Sequence, residues 1–235
     1  MFPITDTIRS RSVPLITWGI ILLNTVVFLF ELALPPQALA AFFQTWGFVP
    51  ATLFMGEAPM HGVITIFTSM FLHGGWMHFI SNMWTLYIFG DNVEDRMGPG
   101  RYLVFYLLSG VFAALVQGAL QPWSTIPLIG ASGAISGVLG AYFLFYPRAG
   151  VLTWVPLFFF YGYTVEIPAV IYLGLWFLSQ FYSGLFSLAL PRGAQLGGVA
   201  WWAHIGGFVF GLLMARWFAP KEREPRWYPD EYWPW

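Results

Sequence analysis

The chain has 235 residues, of which 58% are apolar and 9% charged, with a net charge of -1 and a mean hydropathy of +0.66. Soluble domains carry roughly 25% charged residues, so this composition describes a chain dissolved mostly in lipid, and its balanced charge supplies no basic field for nucleic acid. The absence of cysteine removes disulfides, thiolate metal sites and thiol nucleophiles, which leaves Ser, Thr, Asp, Glu and His for any hydrolytic chemistry.

In chain order, residues 1–12 read as a cytoplasmic N-terminal segment carrying Arg9 and Arg11. The apolar run 13–32 ends in Glu31 and Leu32 rather than at a small-residue cleavage site, so it is expected to remain as a membrane span. A long outer loop, about 33–73, follows; it is apolar but broken by Pro35, Pro36, Pro50 and Pro59, which suits a segment half-embedded in the outer leaflet. Five further runs, 74–90, 101–120, 131–147, 168–188 and 200–218, approach the ~20 apolar residues that a ~30 Å hydrocarbon core requires. The stretch 151–164 would reach only about 21 Å as a helix and holds Pro156, so it is expected to be interfacial or packed against the bundle. A Gly-rich loop, about 189–199, precedes the last span. Residues 219–235 mix charges with Trp227, Trp233 and Trp235, the composition of a cytoplasmic interfacial tail.

Charge placement supports six spans. With the N-terminus inside, Arg9, Arg11, Arg96, Arg101, Arg148, Arg216, Lys221, Arg223 and Arg226 fall on the cytoplasmic side and Arg192 outside, in keeping with the bias of basic residues to inner loops. The expected fold is an all-α membrane protein, a six-transmembrane-helix bundle over 13–218 with both termini cytoplasmic.

Polar groups within spans are costly and point to function. His78 and Asn82 share one helix face at a spacing of four. Ser132, Ser136 and Gly140 form a stripe with Gly133 and Gly137 beside it, and His204, Gly207 and Gly211 form another. Such small-residue faces let membrane helices approach closely. Segments two, four and six all run inward, and His78, Ser132 and His204 each lie near the outer start, so the three share one level. If the faces meet, Ser132 has His204 as a base. The His78 imidazole, the Asn82 amide and the Ser132 backbone N–H are candidate oxyanion donors. No Asp or Glu lies at that depth, so a pair without a carboxylate orienter is expected.

These residues resemble the rhomboid family of intramembrane serine proteases. The resemblance rests on Gly130-Ala131-Ser132-Gly133, on Ala203-His204-Ile205-Gly206-Gly207, on His78-Phe79-Ile80-Ser81-Asn82 with His73 five residues earlier, and on Glu94-Asp95-Arg96-Met97-Gly98. It implies Ser132 as nucleophile, His204 as general base, and His78 and Asn82 in an oxyanion hole together with Ser132 and Ala131. His73, Gly133, Ser136, Gly137, Gly207 and Gly211 are the expected structural supports. It further implies span 168–188 as gate and loop 189–199 as cap. The sequence departs from the family at Ile64-Thr65, where a Trp-Arg pair is common, and at Ser136, where an aromatic often packs on the histidine; Trp201, Trp202 or a Ser136 hydrogen bond are the candidate substitutes.

The expected function is an endopeptidase that cleaves transmembrane segments of other membrane proteins near the outer face, in an integral, multi-pass position in a bacterial inner membrane. Its partners would be transmembrane protein substrates and the lipid bilayer, with no nucleic acid, no metal and no cofactor. Three other classes stay open: a rhomboid-like protein that binds membrane helices without cutting, a transporter or channel, and a metal enzyme using the histidines. The spans lack the midplane charges typical of the second, and no His-Glu-x-x-His motif supports the third.

Overall fold

The computed structural model describes residues 2–56, 58–158, 161–189 and 199–220. The chain opens with strand β1 (Phe2–Asp6) and enters α1 (Leu15–Ala33). The long loop 33–73 is itself helical: α2 (Pro36–Trp46), α3 (Pro50–Phe54) and α4 (Pro59–Thr68), then a 3-10 turn at Ser69–Phe71. Each of the three starts on a proline, which fits the first helical turn because its missing N–H would have no partner there. α5 (Trp76–Met97) leaves the end of the 3-10 turn at an angle of 81°. Gly98, at φ +79°, turns the chain into α6 (Pro99–Leu120). α7 (Ser132–Phe145), β2 (Gly150–Phe158), β3 (Tyr161–Pro168), α8 (Ala169–Ala189) and α9 (Trp201–Phe218) complete the described chain.

α7 occupies the middle. Every residue from Gly133 to Tyr142 is buried, as expected of a helix apolar all round and enclosed by neighbours. The outer helices show the opposite pattern. α1 exposes Leu15, Trp18, Leu22, Val26 and Leu29, and α8 exposes Ile171, Leu175, Leu178 and Tyr182. Apolar faces of that extent need a nonaqueous surround.

Three helices, α1, α6 and α8, are long and apolar enough to cross a membrane, and the bent pair Pro59–Phe71 with Trp76–Met97 makes a fourth. The six-span expectation goes beyond this. α7 has 14 residues, about 21 Å, and α9 carries His204 and Arg216 within its 18 residues.

The described chain is mostly helical, but the all-α expectation is corrected in one respect: β1, which lies within segment 1–12, forms an antiparallel sheet with β2 and β3 in the order β1-β2-β3. Phe2 pairs with Trp154 and Asp6 with Val151, while Val151 pairs with Ile167 and Trp154 with Thr164. Stretch 151–164 is therefore a hairpin. Val151 and Thr153 are fully buried, while Leu152 and Trp154 beside them are partly exposed, the alternation of a strand with one covered face. Length and apolarity alone do not separate such a run from a buried helix. Glu166 lies in β3 opposite Leu152.

The sheet is tied to α5. Phe2 stacks on Trp84 at 5.9 Å, the Trp84 indole N–H donates to the Pro3 carbonyl at 2.7 Å, and Asn92 donates to the Asp6 carboxylate at 2.8 Å. The Tyr142 hydroxyl donates to the same carboxylate. At the C-terminal end of α5, the buried Glu94 carboxylate accepts the Ile16 N–H at 2.9 Å and the Thr17 N–H and hydroxyl at 2.8 Å each. It thereby caps the first turn of α1, whose amides have no partner within the helix.

Candidate active site

α7 and α9 meet backbone to backbone. A Cβ on Gly207 would collide with the Gly133 carbonyl oxygen, one on Gly211 with that of Gly137, and one on Gly140 with that of Phe208. On the other side of α7, a Cβ on Gly137 would strike the Ser109 hydroxyl of α6, and one on Gly133 would lie 2.8 Å from the Ala113 Cβ. Only glycine permits this approach, and it sets the register of the two helices.

At the end of that seam where α7 and α9 begin, Ser132 Oγ lies 2.8 Å from His204 Nε2. The other ring nitrogen, Nδ1, is 2.7 Å from the Gln180 side-chain oxygen of α8. An amide oxygen only accepts, so Nδ1 carries the proton and Nε2 presents its lone pair to the serine hydroxyl; this tautomer is assigned from the partners. Trp176 lies tilted against the His204 ring at 6.1 Å and Trp201 meets it edge-on at 6.4 Å. Trp201 is one of the expected substitutes for the aromatic missing at position 136; Trp176 is a further ring that the sequence did not point to. Ser136 serves differently, donating to the Ser132 carbonyl at 2.7 Å.

The turn before Ser132 needs Gly130, at φ +122°, a region that L side chains rarely adopt. A Cβ there would lie 2.5 Å from His78 Nε2 and 3.7 Å from the Asn82 side-chain nitrogen, so both α5 side chains face the Gly130–Ser132 backbone. His78 Nδ1 accepts the Gly74 N–H at 3.4 Å, which leaves Nε2 as the protonated nitrogen. The Asn82 amide nitrogen is buried without a partner, a donor held ready. Ser132 opens α7, so its own N–H has no partner within the helix. Ala131 is fully buried beside it. Ser132, with His204 at its hydroxyl, and His78 and Asn82 thus gather around the Gly130 turn, and a cavity of about 20 Å³ lies beside Ser132, lined also by Ser69, Gly130 and Ala203.

His73 stands apart. It is 1% exposed, neither ring nitrogen has a hydrogen-bond partner, and its backbone N–H donates to both oxygens of the α1 residue Glu31 at 3.2 Å. Its ring packs edge-on against His78 at 5.1 Å. Loop 189–199, apart from its ends, and residues 221–235 of the tail lie outside the described residues. Among the described residues no cluster of three His, Asp or Glu side chains is arranged to hold a metal.

Gln180 was overlooked in the sequence, although a lone amide within an apolar span is itself a signal. A second amide, Gln117 of α6, accepts the Ala203 N–H at 3.2 Å and steadies the turn before His204.

Fold and site together define an integral membrane protein that holds a serine–histidine pair in a helical bundle. The Rhomboid domain family model matches residues 60–221, and the chain belongs to the rhomboid family. It is 26% identical over 218 residues to the rhomboid protease GlpG of Salmonella paratyphi A, and equally so to the proteins of that name from Salmonella typhi and Salmonella newport. The match covers 91% of this chain and 66% of each relative, just under two thirds of their length.

Proposed function

We propose that the chain is an intramembrane serine endopeptidase that cuts transmembrane segments of other membrane proteins near the outer face. The carrying observation is the 2.8 Å contact between Ser132 Oγ and the unprotonated nitrogen of His204. His204 takes the serine proton as Oγ attacks the scissile carbonyl carbon. The oxyanion that forms is met by the Asn82 amide and His78 Nε2–H, which face the Gly130 turn, and by the Ser132 N–H. The imidazolium then passes its proton to the departing amide nitrogen, leaving an acyl group on Ser132. A water molecule, deprotonated by His204, attacks that ester and releases the second product with the serine restored. The cavity that Ser132 helps to line has room for one water molecule.

In a six-span arrangement with both termini inside, supported by the basic residues of the inner loops, the site opens just below the outer surface. The Salmonella relatives favour a bacterial inner membrane. Carbonyls of a membrane helix are already hydrogen-bonded, so the substrates are transmembrane segments with small or helix-breaking residues near that surface, where the helix unwinds. An active-site-directed fluorophosphonate tests the proposal: mass spectrometry should find the adduct on Ser132, absent in Ser132→Ala and strongly reduced in His204→Ala. A folded native chain that binds transmembrane segments yet takes no label would instead be a binding protein.

A further inference from the structure

We propose that Gln180 is a positioning residue that locks His204 in its base-competent tautomer, and that the lock holds only while α8 is seated against α9. The inference rests on the peptidase reading above. The buried residues of α8 are Ala169, Leu173, Gln180 and Gly184, a single stripe at helical spacing. Around it the helix turns Leu175, Leu178, Tyr182 and Phe186 outward. Gln180, 7% exposed, is the one polar side chain in the stripe.

The residues one turn to either side of it also pack on α9. One turn before it, Trp176 packs on the rings of His204 and Phe208 at 6.1 and 6.0 Å. One turn after it, a Cβ on Gly184 would lie 3.2 Å from Ile205 and Trp202 of α9. The amide is itself oriented, its nitrogen donating to the Ser179 hydroxyl at 3.1 Å. Its oxygen is therefore presented to Nδ1.

A neutral imidazole without an acceptor at Nδ1 is free to carry its proton on Nε2, where it cannot receive the serine proton. Gln180 removes that alternative and gains strength as the imidazolium forms, because a hydrogen bond from a charged donor is the stronger kind. An amide does so without burying a carboxylate, whose desolvation is costly in this setting. The bond at 2.7 Å joins two helices; an outward shift of α8 by about 1 Å stretches it beyond hydrogen-bond range and frees the ring.

The test is the rate of fluorophosphonate labelling of Ser132 from pH 5 to 9, with thermal unfolding measured alongside. Gln180→Met keeps the volume and removes the acceptor, and should label about 10- to 100-fold more slowly, the scale of one hydrogen bond to a charged group. Gln180→Glu restores the acceptor, so labelling should recover and its acid limb should move to higher pH, since a carboxylate favours the protonated ring. His78, the titratable neighbour of His204, is unchanged in both. Gly184→Leu, a wedge between α8 and α9, should slow labelling in the native chain but add little to Gln180→Met. A native rate and limb in Gln180→Met overturns the lock, and additive effects of the wedge overturn its dependence on α8. If Gln180→Met melts early, an unmoved acid limb in Gln180→Glu overturns the lock alone. A native chain that never labels overturns the peptidase reading and this inference with it.

Discussion

Gly207 of α9 faces the carbonyl of Gly133 of α7 with no room for a Cβ between them, and Gly211 faces Gly137 in the same way one turn further on. The distance between Ser132 and His204 is set by this seam. Gly211→Ala should therefore force the helices apart, at a cost of about 1–3 kcal/mol for an overpacked contact, and lower both the melting temperature in detergent and the labelling of Ser132. Gly19→Ala in α1 is the control, because a Cβ there meets nothing within 4 Å and should leave both unchanged.

Asn82 and His78 face the Gly130 turn as donors, and the Asn82 nitrogen has no partner in the resting protein. Interactions made only as the oxyanion develops lower the barrier without tightening substrate binding. Asn82→Ala and His78→Ala should each reduce kcat by up to about 10²-fold with KM nearly constant. A rise in KM at native kcat would show that these side chains hold substrate instead.

Glu94 receives two amides and a hydroxyl from the start of α1. Glu94→Ala leaves these buried donors unpaired, at a cost of about 2 kcal/mol or more; Glu94→Gln, which keeps a carbonyl oxygen, should fall between. Unfolding titrations with SDS would rank the three.

Asp6 lies on the strand, and burial pushes its carboxyl up to about 7 despite the lowering effect of the Tyr142 hydrogen bond; Asp91 nearby raises it further. A carboxyl raised in the folded state binds its proton more tightly there than in the undocked chain. Its contribution is thus fully present below about pH 4 and is lost as pH rises through about 7. Hydrogen exchange of the β1 amides should accelerate across that window, and Asp6→Asn should flatten the dependence.

The helical spans were legible because lipid demands long apolar runs: the first, expected at 13–32, is found as Leu15–Ala33. Ser132 and His204 stood out as polar side chains among glycines in such runs, and His78 and Asn82 as two polar side chains on one helix face. The sheet was hidden, since 151–164 is apolar on both faces and its partner β1 lies more than a hundred residues away. Gln180 was hidden for a related reason. An amide has no motif, and its meaning lies in a partner 24 residues on, across a helix contact.

The most direct measurement is cleavage of a reporter transmembrane segment co-reconstituted in vesicles with the native chain, Ser132→Ala or His204→Ala. The native chain should release two fragments whose masses place the cut near the outer interface, and both variants, folded by thermal unfolding, should release none. Cleavage that persists in either variant, or a native chain that leaves reporters with helix-breaking segments intact, would contradict the account.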